Sequence, residues 1–215
     1  HQPMGAADGR YWIVFNGEVY SYLELRDELA DAGHAFHTGT DTEVILAAYR
    51  HWGAACVARF TGMWAFAIWD VDARVLFLAR DPFGIKPLYY LNDGRRFAFA
   101  SELKALLTLP GLTRRANPTA LYDYLTENVT DFGGETFYAE IRQLPAGHTL
   151  TVPVDAPERA VAAPYWAPRW GENRDITFDE AAAHLRDLFL RSVALHLRSD
   201  VPVGTALSGG IDSSA

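Results

Sequence analysis

Near the carboxyl end, Leu207-Ser208-Gly209-Gly210-Ile211-Asp212-Ser213-Ser214 sets two adjacent glycines among hydroxyls and one carboxylate, closing the apolar segment of residues 201–207. The order is that of a buried strand running into a tight glycine turn. Glycines let a backbone approach an anion without a Cβ in the way, and a nest of N–H groups supplies partial positive charge. The chemistry on offer is phosphate binding by the main chain. It is not a Walker A loop, which needs a lysine to reach the β- and γ-phosphates; Ile211 and Asp212 follow the glycines instead. A lone Gly-Gly-x-Asp-Ser would read as an ordinary turn, whereas the full run behind an apolar strand reads as an anion cradle.

Other polar groups are less specific taken one by one. Asn16-Gly17 ends the β-branched and aromatic run of residues 11–15 and is the strongest short turn signal, so a turn is expected there. Asp41 lies in Thr40-Asp41-Thr42-Glu43, whose spacing is that of a capping box. Cys56 sits in Gly53-Ala54-Ala55-Cys56-Val57-Ala58, and a free cysteine in such apolar surroundings is expected to be an inert core residue. The seven histidines show no metal spacing, and nothing resembles a Ser-His-Asp constellation.

These groups need a scaffold, and the chain patterns one. A strand over residues 11–15 precedes a helix that opens at Ser21-Tyr22-Leu23-Glu24 and closes at Gly33; a second helix runs from the Thr40 cap to near Gly53. Residues 63–69 are apolar on both faces and predict a strand covered on each side. Residues 70–74 turn the chain into a hairpin partner at 75–79, and strands at 88–91 and 96–100 flank the turn Asn92-Asp93-Gly94. This half predicts an antiparallel meander with two helices, a layered α+β domain. Helices are expected over 101–108 and 118–127. Residues 128–174, rich in Pro, Gly and Thr with short strands such as 149–152, read as domain edge and linker. Apolar residues from Phe178 to Leu197 recur at helical spacing, so a long amphipathic helix precedes the glycine loop and begins a second, α/β domain.

Composition sets the bounds. The 215 residues allow roughly one to two domains. With 49% hydrophobic and 21% charged residues the chain has material for a sizeable core. Nineteen basic against 27 acidic residues give −8, which argues against nucleic acid or anionic membrane as partner. No apolar run approaches the roughly 18 residues of a membrane span. A single cysteine excludes an internal disulfide and fits a reducing, cytoplasmic compartment.

Read together, the motifs carry a resemblance. Val14-Phe15-Asn16-Gly17-Glu18-Val19-Tyr20 is similar to the strand-turn of class II (amino-terminal nucleophile) glutamine amidotransferases. Thr38-Gly39-Thr40-Asp41-Thr42-Glu43-Val44-Ile45 is similar to their second glutamine-binding segment, and Arg80-Asp81-Pro82-Phe83-Gly84-Ile85-Lys86-Pro87-Leu88-Tyr89-Tyr90 to their Arg-Asp-x-x-Gly-x-x-Pro-Leu-Tyr stretch. The terminal loop resembles the pyrophosphate loop of ATP-pyrophosphatases that adenylate their substrate. In this order, over essentially the whole chain, the set resembles the glutamine-hydrolysing asparagine synthetase family.

The resemblance implies roles. Asn16, through its side-chain amide, and Gly17, through its N–H, match the family's oxyanion hole, where fixed donors stabilise charge on the amide oxygen of glutamine. Glu18 and Asp41 match positions that hold the amino-acid end of glutamine. Ser208, Gly209, Gly210, Ile211, Asp212, Ser213 and Ser214 match the residues that bind the ATP pyrophosphate, Leu207 the start of the adenine-ribose contact, and Asp212 a Mg²⁺ partner. Glutamine, aspartate and ATP are the implied substrates, asparagine, AMP and pyrophosphate the products, and a homodimer the common assembly. Related enzymes that amidate another carboxylate, in antibiotic or polysaccharide biosynthesis, and a non-catalytic binding module are the alternatives. Arg80-Asp81 and Ser101-Glu102-Leu103-Lys104 are expected near the interdomain path of ammonia, or as a structural ion-pair network.

The family's nucleophile is a cysteine at the mature amino terminus, activated by its own α-amino group. Residue 1 is His, and His1-Gln2-Pro3-Met4 resembles an internal family segment. The chain is therefore expected to be cut at both ends and inactive alone. Its expected layout is an αββα glutaminase domain over 1–155 lacking its first strands, a linker over 156–177, and the start of an ATP-pyrophosphatase domain over 178–215.

Overall fold

The double-sided apolar run near residue 66 organises the first part of the chain. In the computed structural model, which describes residues 1–130, 133–171, 175–199, 201–204 and 206–210, the strands are β1 (Met4–Gly5), β2 (Tyr11–Val19), β3 (Gly62–Asp70), β4 (Val75–Arg80), β5 (Tyr89–Asn92), β6 (Phe97–Ala100), β7 (Ile141–Gln143), β8 (His148–Pro153) and β9 (Val161–Pro164). The helices are α1 (Tyr22–Asp31), α2 (Asp41–Trp52), α3 (Leu103–Leu106), α4 (Pro118–Glu127) and α5 (Phe178–His196). One sheet has the order β1-β2-β3-β4-β8-β9, the other β6-β5-β7, and all paired strands are antiparallel.

Alternation along β3 gives each face its own neighbours. Trp64, Phe66 and Ile68 point into a core with Leu25 and Leu29 of α1 and Val44, Ile45 and Ala48 of α2. Each of the larger side chains buried there contributes roughly 2 kcal/mol. Ala65 and Ala67, on the opposite face, meet Leu78, Leu88, Leu144 and Leu150, with Phe97 and Phe99 of the second sheet packed against them. Small residues on that face let the two sheets come close. Leu91 and Ile141 of the second sheet cover Leu106 of α3, and Leu103 and Leu107 pack against them. The layers are thus helix, sheet, sheet, helix, the expected αββα arrangement.

Several local expectations are corrected. The Asn16-Gly17 pair makes no turn: β2 runs straight through it, with Asn16 opposite Ala65 and Gly17 opposite Trp64. Gly17 has φ +144°, and a Cβ there would stand 2.1 Å from the carbonyl oxygen of Met63; a Cβ on Gly62 would stand 2.1 Å from that of Glu18. The glycine serves close strand approach instead of chain reversal. Ser21 forms no side-chain cap on α1, because its hydroxyl accepts from the N–H of Thr61. The meander ends at β4, whose next partner is β8, while β5 opens the second sheet. Asp81 captures the following N–H groups into a loop, and Pro82 and Pro87 have none to give a ladder. The helix expected over 101–108 is confined to Leu103–Leu106, whereas α4 matches its expected bounds under a cap by Asn117.

Two compact units appear, His1–Arg169 and Trp170–Ala215. The stretch 128–174, read as edge and linker, supplies β7, β8 and β9 to the sheets of the first unit. In the second unit, α5 starts in a complete capping box of Thr177 and Glu180. The strand expected over 201–207 is absent among the described residues there, and Val201, Val203 and Leu207 are exposed. A parallel strand takes its backbone partners only from other strands, and the described part of this unit has none. No helix among the described residues is long and apolar enough to cross a membrane.

Gly17→Ala is expected to cost at least about 2 kcal/mol, from the disallowed backbone angle and the collision with β3. Gly39→Ala, where a Cβ meets nothing within 4 Å, is the control and should leave the urea midpoint nearly unchanged.

Candidate functional site

Strand alternation puts Asn16 and Glu18 on one face of β2, the face that Val14 turns toward the second sheet. The Asn16 amide nitrogen lies 3.5 Å from the hydroxyl of Ser101, just past β6. A cavity of about 260 Å³ adjoins them, walled by Val14, Ala65, Leu88 and Phe99.

The edge of β2 is more informative than its face. Trp64 directs its main-chain groups to Asp81: its carbonyl accepts from the Asp81 N–H at 2.8 Å and its N–H donates to the Asp81 carboxylate at 3.2 Å. In an antiparallel ladder the pairs alternate between bonded and non-bonded, so Gly17, opposite Trp64, turns its own N–H and C=O to the far edge of β2. Its neighbours on that edge are occupied. Phe15 is bonded by the Gln2 side chain, and the Val19 N–H donates to Asp41 Oδ2 at 3.0 Å. Between them the Gly17 N–H points to the same edge, beyond the β1 rung at Met4 and Ile13.

Asp41 reaches this place because it is the first residue of α2. Thr40 caps the helix through the Glu43 N–H, and the Thr42 hydroxyl donates to Asp41 Oδ1 at 3.4 Å. The Glu43 carboxylate accepts from the N–H groups of His37 and Thr38 and from the Thr38 hydroxyl, at 2.7–2.8 Å. Burial pushes its carboxyl up, but these bonds prevail and hold it below the ordinary range. The structure therefore brings Asn16, Gly17, Glu18 and Asp41 to one end of β2. Sequence reasoning gave Glu43 no role of its own beyond the capping box and the segment that contains it, and gave Gln2 none, since no local pattern signals its bonds to Phe15.

Arg80 and Asp81 work on the backbone. Asp81 is fully buried and accepts from the N–H groups of Trp64, Phe83, Ile85 and Lys86. Arg80 donates to the carbonyls of Gly84, Lys86 and Leu144 at 2.7–2.8 Å. Tyr165 stacks on Trp64 and gives its hydroxyl to the Arg80 carbonyl at 2.7 Å. The resulting rigid loop holds Phe83 and Ile85 outward, both exposed. Glu102 and Lys104 form an exposed ion pair, which contributes little.

In the second unit, Leu207, Ser208, Gly209 and Gly210 are exposed, and Gly209 has a left-handed φ of +77° with open space where a Cβ would stand. A left-handed residue is one of the two backbone forms that alternate in an anion nest. Ile211, Asp212, Ser213 and Ser214 lie outside the described residues. Among the described residues no group of three His, Cys, Asp or Glu side chains is placed to hold a metal ion.

The αββα frame and the sequence that builds it have counterparts among known proteins. A family model described as a glutamine amidotransferase domain matches residues 1–166, and one described as asparagine synthase matches residues 184–215. The chain belongs to the glutamine amidotransferase domain family. It is 39% identical over 213 residues to an asparagine synthetase [glutamine-hydrolyzing] of Bacillus subtilis, covering 99% of this chain and 33% of that protein. It is 44% identical over 232 aligned positions to a putative asparagine synthetase [glutamine-hydrolyzing] of Mycobacterium tuberculosis, covering 100% of this chain and 34% of that protein. The chain thus spans about a third of the length of the curated relatives it matches. Among solved structures, glutamine phosphoribosylpyrophosphate amidotransferase from B. subtilis has the same fold, with a TM-score of 0.53 at 18% identity, covering 78% of this chain and 32% of that one.

Cys56 is fully buried and its thiol is pushed up to about 12 by burial. Since only the thiolate reacts, iodoacetamide at pH 8 should leave the folded chain unlabelled by mass spectrometry and label it once in urea. Labelling of the native protein would refute the core assignment.

Proposed function

We propose that this chain is the glutamine-handling part, with the first nucleotide-binding segment, of a glutamine-hydrolysing asparagine synthetase. The observation that carries the reading is the Gly17 N–H, which the strand register turns to the edge of β2, beside the Asn16 amide and on the side where Asp41 is held. Hydrolysis of the glutamine side-chain amide builds negative charge on its carbonyl oxygen, and the two donors are aimed where that charge develops. Asp41 and Glu18 take the α-ammonium of glutamine and discriminate against amides that lack it. The attacking thiol comes from a residue outside these 215, because Cys56, the only cysteine, is sealed in the core. The chain alone is accordingly inactive in this reading.

The released ammonia then displaces AMP from an aspartate whose side-chain carboxylate ATP has adenylated, with pyrophosphate as the other product. Residues Ser208 to Ser214 would cradle that pyrophosphate on main-chain N–H groups, with Leu207 at the start of the adenine-ribose contact. Mg²⁺, when bound, neutralises phosphate charge, and Asp212 offers it a hard oxygen ligand. A homodimer in a reducing, cytoplasmic compartment completes the reading.

In the full-length gene product, Asp41→Ala is expected to lower kcat/KM for glutamine by about tenfold to a hundredfold while synthesis from added ammonia persists. Equal loss of both activities would sink the assignment. Asp212→Ala should suppress pyrophosphate release and spare glutamine hydrolysis. Product analysis with ATP, glutamine and aspartate decides the whole: AMP and asparagine are expected, and ADP with orthophosphate would overturn the reading.

A further inference from the structure

Two helices of this chain open on the same pair of residue types and use them differently. At the start of α5, Thr177 and Glu180 form a complete capping box, in which the glutamate accepts from the N–H of the capping threonine itself at 2.9 Å. At the start of α2, Thr40 and Glu43 have the same spacing, and the Thr40 hydroxyl accepts from the Glu43 N–H at 3.4 Å. The Glu43 carboxylate, however, reaches past Thr40. Its Oε1 accepts from the His37 N–H at 2.8 Å, and its Oε2 accepts from the Thr38 N–H and the Thr38 hydroxyl, both at 2.7 Å. The Thr40 N–H, which a capping box would give to the glutamate, goes to the Thr38 hydroxyl oxygen at 3.3 Å.

From this departure we infer that Glu43 is a positioning residue for glutamine: its carboxylate clamps the loop that leads into Asp41, and so fixes the group proposed to take the α-ammonium. The inference rests on the amidotransferase reading above. Asp41 follows the clamped segment directly, through bonds that run from Glu43 to Thr38 and from Thr38 to Thr40. The other helix grips the same loop. Arg26 of α1 donates to the Thr38 carbonyl at 2.6 Å, and its guanidinium carbon lies 4.7 Å from the centre of the Phe36 ring. With the loop held from both helices, Asp41 meets the Val19 N–H at 3.0 Å on the edge of β2. A binding group that is fixed before its ligand arrives loses less freedom on binding, so the clamp acts on glutamine affinity. An ordinary capping box would serve α2 equally well and would leave residues 37 and 38 unclamped. That difference separates a positioning role from simple capping.

Glu43→Gln keeps size and shape, but both Glu43 oxygens accept from N–H groups, so the amide nitrogen opposes a donor whichever way it turns. In the full-length protein it is expected to raise KM for glutamine by about tenfold, with kcat for hydrolysis changed less than about threefold, because the binding lost is shared by ground and transition states. Thr38→Val removes one hydroxyl from the clamp; it should raise KM in the same sense and serves if the first variant does not fold. Glu180→Gln, at the ordinary box of α5, controls for the loss of a cap and should leave KM for glutamine unchanged. A KM that stays the same in both clamp variants, or rises as much for Glu180→Gln, would overturn the role, as would a fall in kcat that accounts for the whole loss in kcat/KM. Asp41→Ala run in parallel tells the two failures apart. A raised KM for Asp41→Ala with none for the clamp variants removes only the inference about Glu43. An unchanged KM for Asp41→Ala removes the glutamine-binding reading of this edge, and Glu43's role with it.

Discussion

The close approach of β2 and β3 is the constraint from which the candidate site follows. Two glycines, Gly17 and Gly62, stand one on each strand where a Cβ would lie 2.1 Å from a carbonyl oxygen of the other. Because the strands meet there without side chains between them, β2 continues in register from Tyr11 to Val19. Continuation keeps the ladder alternation intact, and the alternation turns Gly17 away from β3 and Val19 toward Asp41. A turn at Asn16-Gly17 would have lost both orientations.

That seam is held from behind by a buried carboxylate. Asp81 takes the Trp64 N–H on β3 and three N–H groups of the loop that follows β4, so strand and loop share one anchor. Arg80 answers with three donors to carbonyls, one of them from Leu144 next to the second sheet. Charged groups buried in this way are tolerated because each is saturated with hydrogen bonds. The pair thus spends its charge on backbone groups, which explains why the segment reads as a motif and yet behaves as scaffold.

Much of this was legible in the chain. The apolar run of β3, the Thr40 cap, the bounds of α4 and the core position of Cys56 all follow from side-chain type and local spacing. Where local signals failed, a distant partner had overruled them. Ser21 was drawn off its helix by Thr61, and β5 was drawn off the meander into a second sheet by the leucine core it shares with Ile141 and Leu106. Gln2 shows the other limit, for a glutamine that imitates a peptide group carries no pattern of its own.

By itself, then, the sequence determined the elements, the family and the residues that bear polar chemistry, since periodicity, capping and motif order are properties of neighbours along the chain. Tertiary structure alone decided which way the main-chain groups of β2 point and which partners hold them. The direction of the Gly17 N–H is set by strand register and by Asp81, and its neighbours on that edge are held by Asp41 and by a side chain thirteen residues before Phe15. Hydrogen bonds between segments far apart in sequence set those conditions, and no window of local sequence contains them.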